Sequence, residues 1–512
     1  MNFGYWMLDF IKTFVGTPAL LVGIFTMIGA LTLRKKLSQV IISTFKVIVG
    51  FLILGGGAGV LVGSLTKFQP VFQEVYKLNG VIPNNDGFAG AISKALPLIT
   101  TLGSLIMLLG MIFNILLALF SRFKYVYLSG HVLYYTSLML AIVMYVIGFD
   151  FENNAGDFAL SLISGALIMA MYMVLSPASA QRYTKQIVGT DEIALGHTGG
   201  FGYALSGLIG EVIYKIRKKP ILSTEAIKFP QKLFFFRNTL VSITITVFVF
   251  YLFAFLPAGI MYELGKIKEE VNGVKSEAFE ILSGNNWVIT MFVQAFTFTA
   301  GVEIILAGVR LFVGELVPMF KGISDKLIKN SKVAVDCPVV FPYAPNAVLI
   351  GFISSFAAGI IGMAITIGLG AGKVIPVIIL PGLVPHFFLG ATSGVYGNVK
   401  GGILGAIIGP FVGGLIITLV PVFFVLGNWT PTDNNSLGLL IASNAKDNEN
   451  VNLTSLNWGD TDYIIGYIPG ILGLIPKVGK YIAFGVTLAA FIAFIIDGTI
   501  LKVKTKKWKT AK

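Results

Sequence analysis

The chain is poor in charge, in histidine and in cysteine. Charged residues fill 12% of its 512 positions, about half the roughly 25% of a soluble domain. With 55% hydrophobic residues and a mean hydropathy of +0.83, that shortage excludes a soluble enzyme and indicates a polytopic membrane protein. One cysteine, Cys337, excludes an internal disulfide. No Walker sequence occurs, so the chain carries no recognisable ATP site of its own. HExxH and CxxC are missing as well, and neither a metal nor a cofactor is expected. The net charge of +13 does not indicate nucleic acid, because the basic residues sit in short connections between apolar runs, where orientation signals belong. The first apolar stretch has no cleavage-site pattern and is long enough to stay, so no cleavable leader is expected.

What is present is a series of apolar runs, each near the ~20 residues that a helix needs to cross a bilayer. Eleven spans are expected, at about 10–33, 38–65, 94–120, 126–148, 157–180, 236–261, 287–312, 346–371, 374–395, 402–427 and 464–498. Clusters such as Arg34-Lys35-Lys36, Lys215 to Lys219, and Lys502 to Lys509 follow odd-numbered spans. The acidic and Asn-rich connections 148–157, 262–285 and 428–462 follow even-numbered spans or open on the other side. This asymmetry puts the N-terminus outside and the C-terminus in the cytoplasm. Residues 428–462 then form an extracytoplasmic polar loop and 499–512 a basic cytoplasmic tail.

Two segments do not read as simple spans. Residues 186–214 are rich in glycine, too polar for lipid and too apolar for a free loop. Residues 313–345 end in "DCPVVFPYAPNAV", where Pro338, Pro342 and Pro345 break an apolar run. Irregular backbone at membrane depth survives only against protein or a water-filled cavity. Both segments are expected to be re-entrant hairpins lining a transport site.

The scarce polar residues point to the same places. All three histidines, His131, His197 and His386, lie in apolar surroundings. Each could simply donate to a carbonyl and pack. His131 and His197 follow glycine, which lets a ligand approach the backbone, and they are the stronger site candidates. Asp336 is an ionisable group near membrane depth and is a functional candidate on that ground. Its plainer role is to cap the helix after Pro338 or to pair with Lys332. Glu303 sits mid-span with Arg310 beyond it, and a structural pairing is expected there. "GGGAG" at 55–59 lies inside an apolar run with no Lys-Ser/Thr after it, so it is expected to serve close helix packing rather than phosphate binding.

Five segments together carry a resemblance: "LRKKLSQVIISTFKVIVGFLILGGGAG" (33–59), "YLSGHVLYY" (127–135), "LGHTGGF" (195–201), "GVRLFVGELVPMFKGISDKLI" (308–328) and "VDCPVVFPYAPNAVLIGF" (335–352). In order and content they resemble the ascorbate-type enzyme IIC of the bacterial phosphotransferase system, over about residues 5 to 425. The resemblance implies an all-α homodimeric permease of eleven spans in the cell membrane. Each protomer would have a scaffold domain and a core that carries substrate by an elevator movement. A separate enzyme IIB, charged through IIA, would phosphorylate the sugar at the cytoplasmic face. The whole of 1–512 would be one enzyme IIC domain without fused IIA or IIB, and not an enzyme on its own. Matched segment by segment, the resemblance implies substrate contacts from Asn85, Asp86, His131, Tyr134, Tyr135, His197, Thr198 and Asp336. The chain departs from the family pattern at three of these places: Asn85-Asp86 stands for Thr with an aromatic, and Tyr135 and Thr198 each stand for glutamine. The resemblance implies L-ascorbate as substrate, and the departures widen that expectation to a related sugar or sugar acid. A rival reading, an ion-coupled secondary transporter, would centre on Glu303 and Asp336. A membrane enzyme acting on lipid would need a converging nucleophile and base, and the sequence offers no such pair.

Overall fold

The computed structural model describes residues 18–426 and 456–510 apart from short gaps, the longest being 228–237. The elements run as helices α1 (Pro18–Thr32) and α2 (Leu37–Tyr76), strand β1 (Asn79–Pro83), α3 (Pro97–Phe120), β2 (Tyr125–Tyr127), α4 (Gly130–Val146), α5 (Ala155–Val188), β3 (Ile193–Leu195) and α6 (Gly200–Arg217). Then come α7 (Thr239–Glu263), the hairpin β4 (Glu270–Val271) and β5 (Val274–Lys275), α8 (Glu277–Ser283) and α9 (Trp287–Leu327). The last third holds β6 (Lys332–Val335), α10 (Pro345–Ala371), β7 (Val377–Ile379), α11 (Leu383–Leu426), β8 (Leu456–Asn457), α12 (Ile464–Gly473) and α13 (Gly479–Thr510). Seven described helices, α2, α3, α5, α9, α10, α11 and α13, are long and apolar enough to cross a membrane. The protein is an all-α polytopic membrane protein.

Local chemistry sets the boundaries of these helices. Asn154 caps α5, its side-chain oxygen accepting from the N–H groups of Gly156 and Asp157. Gly189, at φ 75°, ends the same helix in the left-handed conformation that a side chain disfavours. α5 therefore runs to Val188, eight residues beyond the expected end of its span. Gly402, at φ 53° and ψ −143°, breaks α11 into two arms. The expected spans 374–395 and 402–427 are these two arms, but the first begins only at Leu383, because residues 377–379 are drawn into a strand. The expected span 464–498 is divided between α12 and α13.

The expected hairpins are also built differently. Residues 313–327 continue α9 as one helix of 41 residues, and the backbone turns irregular only after Leu327. Residues 186–214 comprise the end of α5, strand β3 and most of α6.

Six of the short strands form two parallel sheets, ordered β2-β6-β3 and β7-β1-β8. Backbone groups away from water must pair within the protein, and these strands pair with each other. Val126 lies opposite Val333, Ala194 opposite Ala334 and Gly80 opposite Ile378. The first half of the chain gives the central strand of one sheet (β1) and both outer strands of the other (β2, β3). The second half does the reverse: β6 is central, and β7 and β8 flank β1. β1 and β2 begin at residues 79 and 125, and β6 and β7 begin at 332 and 377, nearly the same spacing. The chain thus runs one strand programme twice with the sheets exchanged, the pattern of an inverted repeat.

Small residues let α10, α11 and α6 approach closely. A Cβ on Gly351 would lie 2.2 Å from the Gly390 carbonyl oxygen, and one on Gly210 would lie 2.5 Å from that of Gly397. Such close backbone contact is the usual device of helix association in lipid. Gly351→Val is expected to cost about 1–3 kcal/mol by overpacking and to lower the melting temperature in detergent. An unchanged melting temperature would show that the crossing can open without cost. The glycines at 55–59 behave otherwise. An added Cβ at Gly55 or Gly56 meets nothing within 4 Å, so the expected close packing is not made at these two positions inside this chain. Among the described residues no ion pair joins Glu303 to Arg310 either; Glu303 is half-buried and Arg310 exposed.

Candidate functional site

The two sheets deliver the site. Each strand of the β2-β6-β3 sheet ends immediately before a singled-out segment: β2 before Ser129-Gly130-His131, β3 before Gly196-His197-Thr198, and β6 before Asp336-Cys337. Parallel strands put these three ends on the same side of the sheet. His197, Asp336 and Cys337 each offer one atom within 4.8 Å of the others. Thus segments some 140 residues apart in the chain are brought together by strands of three and four residues.

His197 is buried in the turn between β3 and α6, and two groups hold its Nδ1. Gly199 N–H donates to Nδ1 at 3.2 Å and the Tyr203 hydroxyl lies 2.7 Å from the same nitrogen. An amide N–H can only donate, so Nδ1 carries the lone pair and this network assigns the proton to Nε2. The ring is therefore neutral, with its proton on Nε2. That tautomer argues against His197, Asp336 and Cys337 as a metal-ligand set, since Nε2 would present no lone pair. The ring also packs beside Phe388, with centroids 6.0 Å apart.

Asp336 is half-buried. Its Oδ1 accepts from Cys337 N–H at 2.7 Å, and it caps the 3-10 helix Cys337–Tyr343. The capping role anticipated from sequence is therefore present, and the place beside His197 is present with it. Lys332 pairs not with Asp336 but with Asp191, at 2.8 Å, and holds that carboxyl below its usual range together with Gln181. Burial and the Asp336 charge push the Cys337 thiol up, which keeps it un-ionised.

The other sequence candidates fall as follows. Thr198 is fully buried and its hydroxyl donates to Asp460. Asn85 is buried, and its side-chain oxygen accepts from Gly459 N–H at 2.9 Å. Tyr134 and Tyr135 are buried in α4, and the Tyr134 ring meets Phe51 of α2 edge-on at 5.0 Å. His131 lies in the first turn of α4, but its side chain is outside the described residues, as is Asp86. His386 lies elsewhere: Ser355 Oγ and Thr418 Oγ1 stand 2.9 Å and 3.3 Å from its two ring nitrogens, which suits a packing histidine between α10 and α11.

Two contributors were not anticipated. The first is "WGDTDY" at 458–463, assigned from sequence to the end of an external polar loop. Residues 458–463 are buried, and 460–462 pack against the turn that holds His197. Asp462 accepts from Phe201 N–H (2.9 Å), Ser176 Oγ (2.7 Å), Thr461 Oγ1 (3.0 Å) and Tyr172 OH (3.3 Å), while its own N–H donates to the Thr198 carbonyl at 2.8 Å. It caps α6 from another part of the chain. The one signal was internal likeness: Gly196-His197-Thr198 after β3 and Gly459-Asp460-Thr461 after β8. The second contributor is Glu225, whose Oε1 accepts from the N–H groups of Asn346 and Ala347 at the start of α10. The Asn346 side chain returns hydrogen bonds to the carbonyls of Thr224 and Ile227, so the Ala-Pro-Asn-Ala motif serves a helix start.

A neutral histidine, carboxyl groups, hydroxyls and irregular backbone gather inside an apolar bundle, where ionisable groups are costly to keep. The class is that of a polytopic membrane transport protein. Residues 13–435 match the family described as PTS system sugar-specific permease component (EIIC-GAT), and the chain belongs to that family. Among curated proteins it is similar to the ascorbate-specific PTS system EIIC component of Mycoplasma pneumoniae, 26% identical over 422 residues, which cover 76% of this chain. The chain spans 62% of the length of that relative.

Proposed function

We propose that the protein is the permease of a phosphotransferase system that binds L-ascorbate, or a related sugar or sugar acid, and carries it inward. Family membership supports the permease reading, and the relative's name supports ascorbate. The observation that carries the site is the meeting of His197 and Asp336 at the ends of parallel strands. In this reading His197 Nε2–H donates to a substrate oxygen and Asp336 accepts from substrate hydroxyls. Asn85, Asp86, His131, Tyr134 and Tyr135 complete the wall. A core that includes both sheets moves as an elevator against a scaffold that joins two protomers. The N-terminus lies outside and the basic tail inside. Enzyme IIB, recharged by IIA, phosphorylates the delivered sugar.

The test is reconstitution. Vesicles holding the full chain should take up labelled ascorbate and yield the phosphorylated product only when IIB, IIA and the general phosphotransfer proteins are added with phosphoenolpyruvate. Phosphorylated product formed by this chain alone would end this reading, and uptake driven by a proton gradient without those proteins would replace it with that of a secondary transporter.

A further inference from the structure

Trp458 to Asp462 lies beyond residue 435, where the family match ends, yet its Asp460 and Asp462 bond the turn that holds His197. Asp460 is 1% exposed. The Thr198 hydroxyl donates to its Oδ2 and Thr461 N–H donates to Oδ1 at 3.0 Å. His197 Nδ1 stands 3.8 Å away. Among the described residues no lysine or arginine comes within ion-pair distance of Asp460 or Asp462. His197 supplies no balancing charge, because the Gly199 N–H occupies its Nδ1 lone pair. Among the described residues, the titratable groups around the two aspartates include His197 after β3, Tyr203 of α6, Tyr127 of β2, Tyr172 of α5, and Asp336 and Cys337 after β6. Asp86 and the side chain of His131 lie outside the described residues.

Among the described residues, the two buried carboxyl groups thus share a neighbourhood with half-buried Asp336 and with no lysine or arginine between them. A second negative charge there meets strong repulsion, because little water screens it. A hydroxyl does not: it can donate to a carboxylate or accept from a carboxylic acid. We propose that Asp460 is a charge-selecting residue of the substrate site, admitting a neutral polyhydroxy ligand in either protonation state and an anionic sugar acid only when its own carboxyl is protonated. The proposal rests on the permease reading of the site. Burial, partly offset by the two hydrogen bonds, raises the Asp460 carboxyl to about 7, so the change falls where it can be measured.

The sign follows directly. Below its pKa Asp460 is neutral and the anion binds; above it the carboxylate repels the anion. Calorimetry on the purified full chain under argon, with L-ascorbate and the neutral alditol sorbitol as probes, should be run between about pH 6 and 8.5. Ascorbate stays anionic throughout this range. Its affinity should fall by about tenfold per pH unit above the midpoint, while any sorbitol affinity stays level. Asp460→Asn should abolish the slope and hold ascorbate affinity near the low-pH value. Thr198→Val removes a donor to the carboxylate and should move the midpoint to higher pH, which gives a second reading if Asp460→Asn folds poorly. Level ascorbate affinity in the parent, or a slope that survives in Asp460→Asn, overturns the proposal and leaves the permease reading standing. Failure of the folded parent to bind either probe at any pH overturns both.

Discussion

Replacing Asp336 by asparagine, or His197 by alanine, is expected to weaken sugar binding by at least about tenfold. A hydrogen bond to a charged group contributes ~1.5–3 kcal/mol, and 1.4 kcal/mol is a factor of ten. Asp336→Asn keeps size and can still cap Cys337 N–H through its side-chain oxygen, so the helix start survives while the charge goes. Loss of His197 removes the Nε2–H donor that the Gly199 and Tyr203 contacts to Nδ1 hold in place. Tyr203→Phe removes one of those two contacts and should give a smaller loss, as befits a positioning residue. His386→Ala is the comparison: Ser355 and Thr418 satisfy its ring between α10 and α11, so it should lower thermal stability and leave affinity of the folded protein nearly unchanged. Affinity and melting temperature measured together separate the roles. If Asp336→Asn melts earlier but binds as the parent does, Asp336 is a cap and nothing more.

Asp462→Ala should give the largest stability loss among single polar substitutions. It strands Phe201 N–H and the Ser176 hydroxyl, donors to one fully buried carboxyl, while the Tyr172 hydroxyl keeps the His197 carbonyl. A buried donor left unpaired costs about 1–3 kcal/mol, so two of them cost on the order of 2–6 kcal/mol, comparable to breaking a buried pair. The cap also joins the two repeats, so α6 and the His197 turn should loosen together. Glu225→Ala removes the equivalent cap of α10, but Glu225 is exposed and water can replace it. A loss near 1 kcal/mol is expected there. Thermal melts of both variants in the same detergent decide the matter. Equal, small shifts would mean that Asp462 is no clamp.

The sequence determined the class without help. Apolar runs of span length, few charges and lysines gathered in short connections have one physical explanation, a chain whose solvent is lipid. It also picked out His197 and Asp336, because ionisable groups in apolar surroundings are too costly to keep without a use. Tertiary structure alone decided how they meet. Strands of two to five residues carry no periodicity, so β2, β3 and β6 were invisible as a sheet, and residues 377–379 were read as the start of a helix. The role of 458–462 was hidden for a related reason. Its aspartates read as solvated because polarity along a chain does not reveal what packs over it, and only the pairing of β8 with β1 carries them inside. Composition and local pattern record which solvent each segment prefers; contacts between halves hundreds of residues apart are set by strand pairing and close glycine packing, which leave no local trace.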